Sequence, residues 1–298
     1  MSSTCYTLSR VPAIQSVWRE HAPRIGFSTP FVLHALLAIS ALHLGRCEPH
    51  RRASCFTRAQ WHHDIAIRSV VPAVPSLASE NSVALFLFSS LTCIFSCACN
   101  RDEESFLTLF EGGRLCDWVR LFRGTKTIID SSSEDFRKGK LAPIFLNGSY
   151  SSAVRRGPQA LDLGQMYVWE LKRMIDKECS HNEQILRTYQ ETLDNVGRTL
   201  GVVLRLGEGR GLETADVFAW LLEVSDDYLD LLRTWDPVAL IIFSYFCVAL
   251  RQIEWMWWME GLSGRLMKQI TSVLDEKYCS WLRWPQEQIG GGTLGSSG

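Results

Sequence analysis

The run Val238–Leu250, VALIIFSYFCVAL, sets the tightest limit on how this chain folds. It holds no charged side chain and sits between Asp236–Pro237 and Arg251. An aspartate accepts hydrogen bonds from the open amides of a first helical turn, and a proline at the next position has no amide to leave unpaired. A helix is therefore expected from Pro237 onward. At about 1.5 Å per residue the run is too short for the roughly 30 Å hydrocarbon core of a bilayer. A helix that is apolar on every face belongs at the centre of a protein, wrapped by other helices. Ser82–Asn100 is a second uncharged run, interrupted by Ser, Thr, Cys and Asn, and takes the same reading. No membrane span is expected.

The rest of the chain supplies the wrapping. Met1–Pro30 is mixed, with Trp18 as an anchor. Pro30 opens FVLHALLAISALHLGR, where Leu33, Leu36, Leu37, Ile39 and Leu44 give broad helical burial and Gly45 is a stop signal. Further helices are read over Arg52–Val71, from Ser79 through Cys99, and over Asp102–Arg123, Leu161–Glu178 and Asn182–Leu204. In the third of these, Gly112–Gly113 reads as a kink and Gly124 as the end. Asp130–Pro158 is the most polar part and reads as a long loop with short helical pieces, a boundary or a mobile lid. Alternating strand patterns are absent. The expected fold is all-α, a single helical domain of about nine or ten helices over residues 1–285. The glycine-rich tail, 286–298, is expected to be disordered.

Composition narrows the function. Of 298 residues, 46% are hydrophobic and 21% charged, and the formal net charge is −1. That balance makes no field that draws nucleic acid or an anionic membrane, and Arg51–Arg52 and Arg155–Arg156 are only doublets, so no direct nucleic-acid binding is expected. The ten cysteines form no CxxC pair, and Cys93, Cys97 and Cys99 lack zinc-finger spacing. Several lie in apolar runs, where a reduced thiol acts as a small core residue. MSSTCYTLSR lacks an apolar signal core, which points to a reducing compartment, nucleus or cytoplasm. His34 and His43 lie too far apart on one helix to share a metal, and the neighbours His62 and His63 point about 100° apart, so packing histidines are expected.

Three segments carry a family resemblance. PFVLHALLAISALHLGR resembles the opening helix of the C-terminal regulatory domain of fungal Zn2Cys6 transcription factors, closest in flavour to the sterol uptake control protein group. CDWVRLFRGTKTII resembles that domain's middle segment. VFAWLLEVSDDYLDLLRTWDPVALIIFSYFCVAL, with WWMEG and WLRWP after it, resembles its C-terminal part. The resemblance implies a regulatory domain with a buried apolar pocket for a sterol or other lipophile and no cofactor. Its pocket candidates here are Phe243, Phe246, Met256 and Trp257. The family's six-cysteine DNA-binding cluster does not match, because Cys5 is the only cysteine before Cys47. A DNA-binding partner protein, a truncated sequence, a regulator-like domain working alone, or a new use of the fold would each account for that.

The same C-terminal stretch holds a competing reading. Asp226, Asp227 and Asp230 spell DDxxD, a pattern that suits Mg²⁺ bridged to a diphosphate. The tryptophans nearby offer aromatic faces for carbocations. Arg251, Arg265 and Lys268 would meet diphosphate oxygens. The chain resembles more faintly the noncanonical fungal sesquiterpene cyclases that make humulene, and on that reading Mg²⁺ is the cofactor and farnesyl diphosphate the substrate. The simpler account is that Ser225 caps a helix whose first turn is Asp226 and Asp227.

Overall fold

The computed structural model describes residues 3–71, 79–99, 110–111, 114–115, 117–131, 133–179, 182–207 and 211–291. The described residues are almost entirely helical, in a few more helices than the nine or ten expected. Their contacts cluster into two compact units whose chain segments interleave. The first takes Met1–Asp102, Asp117–Asn147 and Met256–Trp258; the second takes Glu103–Cys116, Gly148–Trp255 and Met259–Gly298.

In the first unit, α1 (Pro12–Ser16) and α2 (Ala22–Ser28) are joined by a π-helical segment, Val17–His21, which buries Trp18. α3 (Pro30–Cys47) starts with its proline at the first helical position and runs past Gly45. Gly45 is thus not a stop. A Cβ there would come within 2.9 Å of the Cys55 Cβ, so its bare backbone lets α3 close on α4 (Arg52–Val70) across the 3-10 turn Pro49–Arg51. α5 (Ser79–Cys99) packs on α3, with Phe31 and Phe88 edge to face, centroids 5.7 Å apart. α6 (Asp117–Ser131) joins α5 through a 2.6 Å hydrogen bond between the Ser89 and Thr125 hydroxyls. α7 (Ser133–Lys138) brings Phe136 into a cluster with Phe86 and Phe145.

The middle of the chain departs from the sequence expectation. The helix expected over Asp102–Arg123 begins only at Asp117, and Gly124 lies inside it. Before it, β1 (Phe110–Glu111) and β2 (Arg114–Leu115) pair antiparallel, in the second unit. Gly112 and Gly113 lie outside the described residues, as does 101–109. The polar stretch Asp130–Pro158 is mostly helical, in α7 and α8 (Ala142–Arg156). Its composition misleads because a few buried side chains decide the matter: Phe136 and Leu141 in the first unit, Ser151 and Arg155 in the second. Tertiary burial outweighs a weak local propensity.

The second unit is built on α9 (Pro158–Glu178) and α10 (Glu183–Gly207). A Cβ on Gly164 would overlap the carbonyl oxygen of Gly197, and one on Gly201 would overlap that of Ala160. The two backbones touch, which the missing Cβ at Gly164 and Gly201 allows. Arg155, 2% exposed, donates to the Glu223 carboxylate at 3.0 Å, to the Asn195 carbonyl at 3.0 Å and to the Thr199 hydroxyl. It thereby ties α8 to α10 and α11 (Thr214–Glu223).

α12 (Asp226–Arg233) and α13 (Pro237–Arg251) meet at a bend of 108°, where Trp235 takes a left-handed φ of 60°. Every residue of Val238–Leu250 is buried, as expected, against α10, α14 (Leu262–Val273) and α15 (Cys279–Gly291). Residues 286–291, expected in the disordered tail, are the last turns of α15, and 292–298 lie outside the described residues. By length and composition alone, Pro30–Cys47 and Asn81–Cys99 are long and apolar enough to cross a membrane.

The glycine seam gives a direct test. Gly201→Ala should destabilise the fold by about 3 kcal/mol, since the new methyl meets backbone that cannot yield. Gly124→Ala meets no atom within 4 Å and should stabilise by about 1 kcal/mol through helix propensity. Urea unfolding midpoints of the two variants should move in opposite directions.

Candidate functional site

A cleft of about 660 Å³ opens at the α3–α4 turn of the first unit. Leu42, Gly45 and Arg46 come from the last turns of α3, and Pro49 and His50 from the 3-10 turn. Arg52, Ala53, Cys55 and Phe56 open α4, Ala98 and Cys99 close α5, and Trp257 completes the wall. The volume is that of a site for one small molecule. Its lining is mixed: Trp257, Ala98 and Cys55 are buried, Phe56 half-exposed, and Arg46 and Arg52 exposed.

Behind Trp257 lies His43, its ring 5.3 Å away centroid to centroid. His43 Nδ1 is 3.1 Å from the Thr4 hydroxyl, and Nε2 is 3.7 Å from the Cys47 sulfur. Burial, with the nearby Arg46 guanidinium, holds His43 below the ordinary histidine range. His63 stacks flat on Phe95 at 3.8 Å, and burial lowers it too. His34 Nδ1 and His62 Nδ1 lie 2.9 Å apart, joining α3 to α4. Burial pushes the Cys93 and Cys99 thiols up to about 12. Both stay protonated near neutral pH.

The structure places the pocket candidates in two groups. Phe243 and Phe246 are buried in the second unit, 5.6 Å apart, with Phe246 stacked on Trp220 at 4.3 Å. Met256 and Trp257 are buried in the first unit, and of the four only Trp257 lines the α3–α4 cleft. The other lining residues were missed in the sequence. A usable signal was GRCEPHRR, where Gly45, a proline turn and three arginines fall between two apolar helices.

The carboxylate cluster follows the simpler account. The Ser225 hydroxyl accepts from the Tyr228 amide at 3.2 Å and caps α12. Asp226 and Asp227 are exposed in the first turn, and Asp230 pairs with Arg233. Asp236 caps α13, accepting from the Ala239 amide at 2.9 Å and from the Tyr189 hydroxyl at 2.7 Å. Arg251 pairs with Glu254 at 2.8 Å, Arg265 donates to the Glu260 carbonyl, and Lys268 is exposed on α14. α12 packs on α10 and α13, whereas α14 packs on α13 and α15. Among the described residues no group of three or more His, Cys, Asp or Glu is placed to hold a metal ion.

The depressed histidines fix a pH dependence. Below about 6.5, the ordinary histidine pKa, the unfolded chain takes up protons that folded His43 and His63 refuse. Stability should be fully present above that pH and fall as the solution is acidified. His63→Phe should flatten the acid limb of the thermal midpoint against pH, because the ring stack survives without a titratable group. An unchanged limb would show that His63 is not held neutral.

With the site described, its relatives place the chain. Residues 1–152 match the fungal specific transcription factor domain. A Zn(2)-C6 fungal-type transcription factor of Gibberella zeae is 22% identical over 93% of this chain and 57% of its own length. The sterol uptake control protein 2 of Candida albicans is 25% identical over 88% of this chain and 37% of its own. That of Saccharomyces cerevisiae is 34% identical over 85% of this chain and 27% of its own. The chain thus spans less than two thirds of the length of each of these relatives. No solved structure matches it. Half of the chain lies inside that domain, including α3 to α7 and every residue that lines the cleft except Trp257, so the chain belongs to the fungal specific transcription factor domain family.

Proposed function

We propose that this chain is a ligand-responsive regulatory domain of a transcription factor, and that the small molecule it answers to is a lipophile, a sterol in the first instance. What carries the reading is the α3–α4 cleft: a single-ligand volume with a buried tryptophan in its wall, inside the part of the chain that matches the family. The sterol uptake control proteins among its relatives give the ligand class its first candidate. Trp257 would contact the ligand directly. Phe243, Phe246 and Met256, being buried, would shape the fold around it.

The residues of this sequence include no six-cysteine cluster. DNA contact would come from another module, in the same protein or in a partner, and the place of action would be the nucleus. α3 and α5 would serve as packed helices of the first unit rather than membrane spans. No feature of the described residues favours diphosphate chemistry: Ser225 caps α12, Asp226 and Asp227 are exposed in its first turn, and Asp230 pairs with Arg233.

Fusing this chain to a heterologous DNA-binding domain in yeast tests the reading. Reporter output should change several-fold when sterol synthesis is blocked, and the Asp226→Ala/Asp230→Ala variant should respond like the parent. Output that ignores sterol supply would contradict the proposal, as would a response abolished by that variant.

A further inference from the structure

Cys47 is set apart from the other described thiols of the first unit. It ends α3 and is exposed, whereas Cys5, Cys55, Cys93 and Cys97 are buried and Cys99 is half-buried. His43 stands one turn before it on the same helix face, with Nε2 3.7 Å from the Cys47 sulfur. Nδ1 of the same ring is 3.1 Å from the buried Thr4 hydroxyl. In the tautomer whose Nδ1–H donates to Thr4, Nε2 turns its lone pair toward the thiol. Trp257 lies against the ring at 5.3 Å, so His43 is held on two sides. Burial, with Arg46 beside it, keeps His43 below the ordinary histidine range, so near neutral pH the ring is uncharged and able to accept a proton. A nucleophile, a base within hydrogen-bond reach and a third group that orients the base form the arrangement that activates a thiol. The neighbours of Cys47 add a place for a reagent. Arg46 and Pro49 line the α3–α4 cleft, so the body of a small apolar electrophile has a wall to rest on next to the sulfur.

We propose that Cys47 is a covalent modification site for soft carbon electrophiles of the α,β-unsaturated carbonyl class, with His43 as the base that takes its proton. The Cys47 sulfur bonds to the β-carbon as the thiol proton passes to His43 Nε2. The carbon–carbon π pair shifts toward the carbonyl as an enolate, and the proton held on His43 then goes to the α-carbon. The step is an addition: it has no leaving group, needs no oxidant and returns His43 neutral. Thr4 acts through His43, as a positioning residue. A buried ring resists charge, which limits the assistance, yet the same burial keeps its lone pair available at a pH where an unassisted thiol is slow. The inference does not depend on the lipophile reading, since it concerns a bond to the chain and not occupancy of the cleft.

Labelling of the reduced full chain with N-ethylmaleimide, followed at each cysteine by peptide mass spectrometry, tests it. Cys279 is the internal reference: it is the other exposed thiol among the described residues and makes no hydrogen bond to a described histidine. Near pH 7, Cys47 should react roughly tenfold or more faster than Cys279, below the usual yield of a positioned base because this one charges reluctantly. An unassisted thiol slows about tenfold for each pH unit below its pKa, so the ratio of the two rates should widen as the pH is lowered from about 8 to about 7. His43→Phe keeps an aromatic ring against Trp257 and removes the base. It should slow Cys47 by about tenfold and leave Cys279 unchanged, and Thr4→Val should slow Cys47 severalfold. The thermal midpoint of each variant shows whether it is folded; if His43→Phe is not, Thr4→Val and the rate ratio in the parent chain decide. Cys47 reacting no faster than Cys279, a ratio that does not move with pH, or a folded His43→Phe chain whose Cys47 reacts as in the parent would each overturn the proposal.

Discussion

The second unit depends on one close approach, the crossing of α9 and α10 at Gly164, Gly197, Gly201 and Ala160. Backbone there meets backbone, so the contact has a single register: any other places a side chain where a carbonyl lies. The crossing fixes α10, and α10 in turn carries α11, α12 and α13. Tyr189 reaches from α10 to Asp236, the cap of α13, at 2.7 Å. Arg155 reaches to α10 and α11 from the other side of the sequence. A buried arginine is costly unless its donors are met, and here a carboxylate, a carbonyl and a hydroxyl meet them. That seam and those two polar ties define the setting in which the apolar helix Val238–Leu250 can be buried on every face.

Much of this was legible in the residues. Pro30, Ser79, Asp236 and Pro237 mark helix starts that the structure keeps, because capping and proline placement are local effects needing no knowledge of the fold. The all-apolar run announced its own burial. What was not legible depended on distant partners. Phe136 and Arg155 make helices of a stretch whose composition reads as loop, and neither partner set lies near in sequence. Gly45 and Gly124 both looked like stops, yet one serves a close helix contact and the other sits in open space inside α6. A glycine in sequence does not say which of those it does.

The candidate site divides the same way. The carboxylate cluster had two readings, and the caps at Ser225 and Asp236 are the ones the local reading describes. Trp257 was found through resemblance, but its company in the cleft was not. Arg46, Arg52 and Phe56 gather around it only because the α3–α4 turn folds them together beside the end of α5.

On the function proposed above, a lipophilic small molecule occupies this domain in its native setting. Native mass spectrometry of the chain purified from fungal cells without added lipid tests it most directly. A chain population carrying one small molecule of lipid mass is expected, released by organic solvent and lost in an Ala53→Trp variant that fills the cleft. Chains that are bare throughout, or a bound mass that the variant retains in full, would contradict it.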